Sequence, residues 1–397
     1  MQVRLSDRAL KLAPSATLEV VTKAKQLKRE GKPVISFGAG EPDFSSPHSA
    51  IRAAKEALDR GETHYTPTSG IPELKEAIQS YYRDHFSLDY KPSEILVGCG
   101  AKPLLYEALA CLLNPGDEVI VFAPAWVSYV EQISLCDGRP VIVDTSSNRF
   151  LPTCKAMEDA ITSRTVGILV NTPNNPTGAV YGKELLEEIG NLAKEKGLWL
   201  IFDEIYERLV YGTASHHNIL NLVPSMRDST LIVNGVSKAY AMTGWRIGYA
   251  LGPKDLIDKM GSIQGHLTSN AAAVSQWASV GAMTEAEAEV ETMRKAFEER
   301  RKFILSALSA MPHITVNEPD GAFYVFVNVS ACLGKSYRGQ VLTDDVTLCK
   351  ALLEGEYVAA VPGSAFLSQG YLRFSYANSL AEISEGMERF ARFLAEL

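Results

Sequence analysis

Between residues 94 and 253 the chain repeats one unit. An apolar run is followed by a Gly, Pro or polar turn and then by a helical pattern. The runs are "EILVG", "DEVIVFAP", "GRPVIVD", "VGILVNTP", "LWLIFDE", "TLIVNG" and "RIGYALG". Helical patterns fall at 102–113, 126–135, 155–162, 183–196 and 254–260. The runs are apolar almost throughout, where a half-exposed strand would alternate, so both faces must be buried. That predicts an α/β fold: a seven-stranded, mostly parallel sheet sandwiched by helices.

The flanks read differently. Residues 1–45 hold a short helix, a linker and "PVISFGAGEPDF". In "SPHSAIRAAKEALDRG", Ser46 is expected to cap a helix that has Pro47 at its first position, and "GIPELKEAIQSYYRDHF" gives a second helix. The tail begins with a long helix over "MRKAFEERRKFILSALSAM" and continues with short strands, a helix near 344–354 and a last one at 379–397. This predicts a large domain over 46–290 and a smaller α+β domain over 291–397, with 1–45 packing on the smaller one. The length of 397 residues suits two cores better than one.

A net charge of −8 and the lack of a basic tail argue against nucleic-acid binding. No run approaches the roughly 20 apolar residues a membrane helix needs, and the N-terminus lacks a signal-peptide pattern. The six cysteines form no CxxC pair and no Cys/His cluster, so no metal site is expected and a cytoplasmic, reduced setting fits.

Ligands of open parallel sheets gather beyond the carboxyl ends of the strands. There the sequence places Gly100, Ala101 and Lys102; Trp126; Asn174-Asn175-Pro176-Thr177-Gly178; Asp203 and Tyr206; and Ser237-Lys238 with Arg246. Each has an ordinary alternative: Asn174–Gly178 as a turn, Asp203 as a helix cap, Lys238 and Arg246 as snorkelling surface cations. The Gly98-Cys99-Gly100 stretch hints at dinucleotide binding, but Pro103 stands where the third glycine would be. Taken together the set asks for one ligand. A helix N-terminus, Ser237 and Arg246 suit a phosphate. Lys238 suits a Schiff base with an aldehyde, Asp203 a ring cation, and Trp126 an aromatic ring. Pyridoxal 5′-phosphate has all four features. Arg373, in the alternating strand "YLRFSYA", suits a carboxylate or a structural ion pair.

The chain resembles the fold-type I class I aminotransferases, in their aspartate/prephenate branch. The likeness rests on "GEPDF", "YTPTSGIPELK", "PGDEVIV", "WVSY", "NNPTG", "DEIYE", "SKAYAMTGWRIGY", "GAFY", "VPG" and "RFSYA", in that order. It implies that Lys238 bonds the cofactor and moves the substrate Cα proton. Asp203 would pair with the ring nitrogen; Tyr206 and Asn175 would meet the phenolic oxygen. Trp126 would stack on the ring. Gly100, Ala101, Ser237 and Arg246 would cradle the phosphate, with Tyr65 of a second subunit in a homodimer with shared sites. Arg373, with the Gly40 backbone and Asn175, would take the α-carboxylate, and Lys102 the distal carboxylate of a dicarboxylic substrate.

Four positions depart from the branch pattern: Pro103 after Lys102, Ala13-Pro14 near the N-terminus, Gly235 three residues before Lys238, and "HLTSNAA" without an arginine. The resemblance implies transamination between L-aspartate and 2-oxoglutarate. A prephenate, aromatic or alanine aminotransferase is the nearest alternative. A C–S lyase or a non-catalytic module of this fold lies further off.

Overall fold

The computed structural model describes residues 4–6, 9, 10, 12 and 16–397; Ala13-Pro14 lies outside the described residues. The seven apolar runs form one sheet: β1 (Ile95–Gly98), β2 (Glu118–Ala123), β3 (Arg139–Asp144), β4 (Thr165–Asn171), β5 (Trp199–Asp203), β6 (Thr230–Gly235) and β7 (Gly248–Leu251). Their spatial order is β1-β7-β6-β5-β4-β2-β3. Six run one way, and β7 runs antiparallel to both its neighbours.

Both faces are buried, as the apolar runs require. Along β5, Leu200 and Phe202 join the core beneath helices Pro72–Phe86 and Lys183–Lys196, while Ile201 joins the one beneath Ala101–Leu112 and Lys254–Leu267. Each such side chain contributes roughly 1.5–3 kcal/mol on burial, which fixes the sheet as a rigid platform.

A second, antiparallel sheet orders β8 (Thr315–Val316), β9 (Tyr324–Asn328), β10 (Val361–Pro362) and β11 (Tyr371–Ser375) as β10-β11-β9-β8. Its own core includes Phe297, Val325, Leu372, Phe374 and Phe390. The short strand Ile35–Ser36 pairs in parallel with Val358–Ala359 beside it. Helix Glu287–Ser309 runs unbroken across position 290, where the sequence reading divides the chain.

Two expectations change. Ser46 is not a helix cap: the helix is His48–Asp59, with Pro47 at the cap position and no side-chain cap bond. Instead the Ser46 hydroxyl donates to Ala241 O and accepts from Trp245 Nε1, tying this loop to the segment after Lys238. Helix Ala273–Glu285 was not expected, because its small residues give little amphipathic contrast; it packs against His48–Asp59.

Candidate active site

One cavity of about 260 Å³ opens at the carboxyl ends of the sheet strands. The strand directions explain who meets there. Ala101 and Lys102 follow β1, Trp126 follows β2, Asn171 ends β4, Asp203 ends β5, and Ser237 and Lys238 follow β6. Because β7 runs the other way, Arg246, two residues before its start, reaches the same edge. Gly40, Tyr206, Asn175 and Arg373 also stand on the cavity wall.

Two expected residues do not line it. Gly100 caps helix Ala101–Leu112 at φ 96°, and a Cβ there would collide with the Arg246 guanidinium, so it shapes the wall from behind. Tyr65 is 92% exposed and does not line this cavity; its loop is held by Gln264 and Gln276.

Asp203 is buried, and its carboxylate meets neutral donors only. Tyr129 Oη donates to Oδ2 at 2.7 Å and the Ile205 amide to Oδ1 at 3.1 Å. Burial raises its pKa to about 6, and the two donors restrain the rise. Burial likewise lowers the Lys238 ammonium to about 8, with Arg373 and Arg246 adding repulsion. Lys238 Nζ donates to Gly40 O. Lys102 is also lowered, by burial and then by Arg246; its Nζ stands 4.6 Å from the Trp126 ring centre.

Arg373, only 2% exposed, donates from Nη1 to Asn175 Oδ1 at 3.0 Å and from Nη2 to Gly38 O at 2.8 Å. Its Nε is buried with no partner. Among the described residues it pairs with no carboxylate, so the structural ion pair that its burial suggested is absent. A buried guanidinium left with neutral acceptors is poised for an anion.

Asn174–Gly178 forms the turn and also brings Asn175 to the cavity wall. Asn174 Oδ1 accepts from the Thr177 amide and hydroxyl and builds the turn, while Asn175 faces the cavity with its amide on Asn171 Oδ1 at 3.0 Å. Sequence reasoning assigned no task to Tyr129, Asn171, Ile205 or Tyr324, which also line the cavity. A polar residue closing an apolar run would have marked Asn171; Tyr129 and Tyr324 stand in "WVSY" and "GAFY" without a distinguishing signal.

Pyridoxal phosphate fits this donor set. A carboxylate bonded only by neutral donors awaits a ring cation, a lysine of depressed pKa awaits an aldehyde, and a helix start with Arg246 and Ser237 awaits a phosphate.

Comparisons agree. The family model for aminotransferase class I and II matches residues 32–390. The aspartate aminotransferase of Streptomyces avermitilis is 46% identical over 99% of this chain and 97% of its own. The aspartate/prephenate aminotransferase of Cereibacter sphaeroides is 43% identical over 99% of both. The solved aspartate aminotransferase of Thermus thermophilus with maleate superimposes with a TM-score of 0.93 at 42% identity, covering 99% of this chain and 100% of that one. With that cavity and these matches, the chain belongs to the class I and II aminotransferases and is a pyridoxal 5′-phosphate-dependent enzyme of that family.

Proposed function

We propose that the enzyme moves the amino group of L-aspartate to 2-oxoglutarate, giving oxaloacetate and L-glutamate in two half-reactions at one site. The observation that carries this is the charge on the cavity wall: Lys102, Lys238, Arg246 and Arg373 face a single carboxylate, Asp203. A phosphate and a dicarboxylic substrate would balance that excess; a neutral side chain would leave Lys102 without a counter-ion. The dicarboxylate maleate in the similar Thermus thermophilus structure supports the same reading.

The residues then divide the work. Pyridoxal phosphate, when bound, supplies an aldehyde for the amino group and a ring that takes up the electrons of the broken Cα–H bond. Lys238 holds and returns the Cα proton at Nζ; general acid–base help of this kind is worth roughly 10²- to 10⁴-fold. Asp203 keeps the ring nitrogen protonated. Tyr206 donates toward the phenolic oxygen, with Asn175 beside it, and Trp126 covers the ring face. Ser237, Arg246 and the Ala101 amide hold the phosphate, with Gly100 shaping that wall. Arg373 orients the α-carboxylate, with the Gly40 backbone and Asn175 alongside, and Lys102 reads the distal carboxylate.

The 92% exposure of Tyr65 supports a homodimer in which it completes the partner's phosphate site. The six cysteines, none of them in a disulfide, fit a cytoplasmic setting, and no described helix is long and apolar enough to cross a membrane. The division at 45/46 and 290/291 belongs to the same proposal, supported by the pairing of Ile35–Ser36 with Val358–Ala359.

Prephenate is a second candidate acceptor, favoured by the names of the relatives from Cereibacter sphaeroides and Rhizobium leguminosarum. The deciding experiment mixes cofactor-loaded enzyme with one amino acid at a time and follows loss of the visible band. Aspartate and glutamate should bleach it fastest, and Lys102→Ala should slow aspartate by roughly 10-fold or more while sparing alanine, the cost of one charge-assisted contact. Faster bleaching by alanine or phenylalanine than by aspartate would overturn the dicarboxylate reading.

A further inference from the structure

Tyr324 opens β9 inside the cavity wall, fully buried. Three neighbours converge on it. Its Oη lies 2.9 Å from Tyr206 Oη, and either hydroxyl can donate. The Arg373 guanidinium carbon lies 4.5 Å from its ring centre. The register explains that contact. Tyr324 pairs with Ser375 and Phe326 with Arg373, so Tyr324 and Arg373 are diagonal neighbours on one face of the antiparallel ladder. From the third side comes Gly40, whose carbonyl accepts from Lys238 Nζ; a Cβ there would stand 2.9 Å from the Tyr324 hydroxyl and require a shift.

We propose that Tyr324 is a positioning residue with two separable actions, its hydroxyl strengthening the Tyr206 phenol as a donor and its ring seating the Arg373 fork. This rests on the functional reading above, in which Tyr206 faces the cofactor's phenolic oxygen and Arg373 the α-carboxylate. A phenol that accepts a hydrogen bond in a dry site becomes a better donor to its other partner. That favours the form of the cofactor carrying more charge on its phenolic oxygen, which is the deprotonated form. A buried guanidinium over an aromatic face gains attraction that a leucine cannot supply. It is also held flat before substrate arrives, which lessens the ordering cost of binding. The charged groups around the two phenols are Arg373, Asp203 and Lys238, with Glu41 and Arg246 acting on Lys238 in turn. Substitution at 324 leaves all of them in place.

Two variants separate the actions in cofactor-loaded enzyme. Y324F keeps the ring and deletes the hydroxyl. The pH midpoint of the visible absorbance should rise by roughly half a unit, because a weaker Tyr206 donor leaves the protonated form in place to higher pH. KM for the amino acid should stay within about twofold, the ring contact being retained. Y324L should show the same midpoint shift and, in addition, a KM raised roughly tenfold. A midpoint unmoved in Y324F overturns the first action, and that variant decides it even if Y324L fails to fold. Equal KM values in folded Y324L and wild type overturn the second. Wild-type protein that takes up no cofactor or moves no amino group would instead overturn the functional reading itself, so the two failures are distinguishable.

Discussion

Tyr129 donates its phenolic hydrogen to Asp203 at 2.7 Å, and among the described residues no cation bonds that carboxylate directly; Lys238 acts on it only through space, as the least of the influences on its pKa. Asp203 is thereby held as an acceptor with its charge unspent. At about 4 Å and an effective dielectric near 20, a ring cation opposite would gain about 4 kcal/mol. Asp203→Ala should therefore still take up the cofactor but turn over roughly a thousandfold more slowly. Near-normal turnover in single-turnover kinetics would remove the role assigned to this carboxylate.

The pH dependence of cofactor binding follows from the same pair. Below about 6 the Asp203 carboxyl of the cofactor-free enzyme is protonated and cannot pair with a ring cation. Affinity for pyridoxamine phosphate should weaken toward acid by up to about tenfold per pH unit. Tyr129→Phe removes a donor that holds the carboxyl down, so the fall should begin roughly half to one unit higher. Asp203→Asn should flatten this part of the profile. An unchanged profile in both variants, followed by fluorescence titration, would contradict the assignment.

Lys238 makes a prediction about stability. Its folded pKa, about 8, lies below the ordinary 10.5. Between those values the unfolded chain binds a proton that the folded chain does not, so stability from this group rises with pH across that window. Below 8 the folded cofactor-free protein bears the cost in full. Lys238→Met should therefore be more stable than wild type by about 1–3 kcal/mol at pH 7, the advantage fading toward pH 10.5. Urea midpoints at pH 7 and 9.5 check this; an advantage equal at both would contradict it.

Arg373 offers a fork, and a point charge cannot replace it. Arg373→Lys should lower kcat/KM for the amino acid by about 10²-fold, as two charge-assisted bonds loosen, while cofactor affinity stays near wild type. A loss seen mainly in cofactor affinity, measured by equilibrium dialysis, would move Arg373 from the substrate to the cofactor side of the cavity.

The seven strands were legible because their burial on both faces writes itself into the sequence as unbroken apolar runs. The reversed direction of β7 was not, since a run such as "RIGYALG" carries no mark of direction. Lys238, Asp203 and Asn175 could be read as polar residues following apolar runs. Tyr324 and Tyr129 could not, because a tyrosine in an apolar context reads as core whether or not its hydroxyl is in use. The hydrogen bonds from Ser46 to Ala241 and from Trp245 to Ser46 span about 200 residues, a separation that local capping rules do not reach.

The most direct measurement is chemical. Cofactor-loaded enzyme would be reduced with borohydride, digested and mapped by mass spectrometry. A pyridoxyl group is expected on the peptide carrying Lys238, and on no other lysine. Reduction that leaves Lys238 unmodified while the protein remains active, or that labels a different lysine, would contradict it.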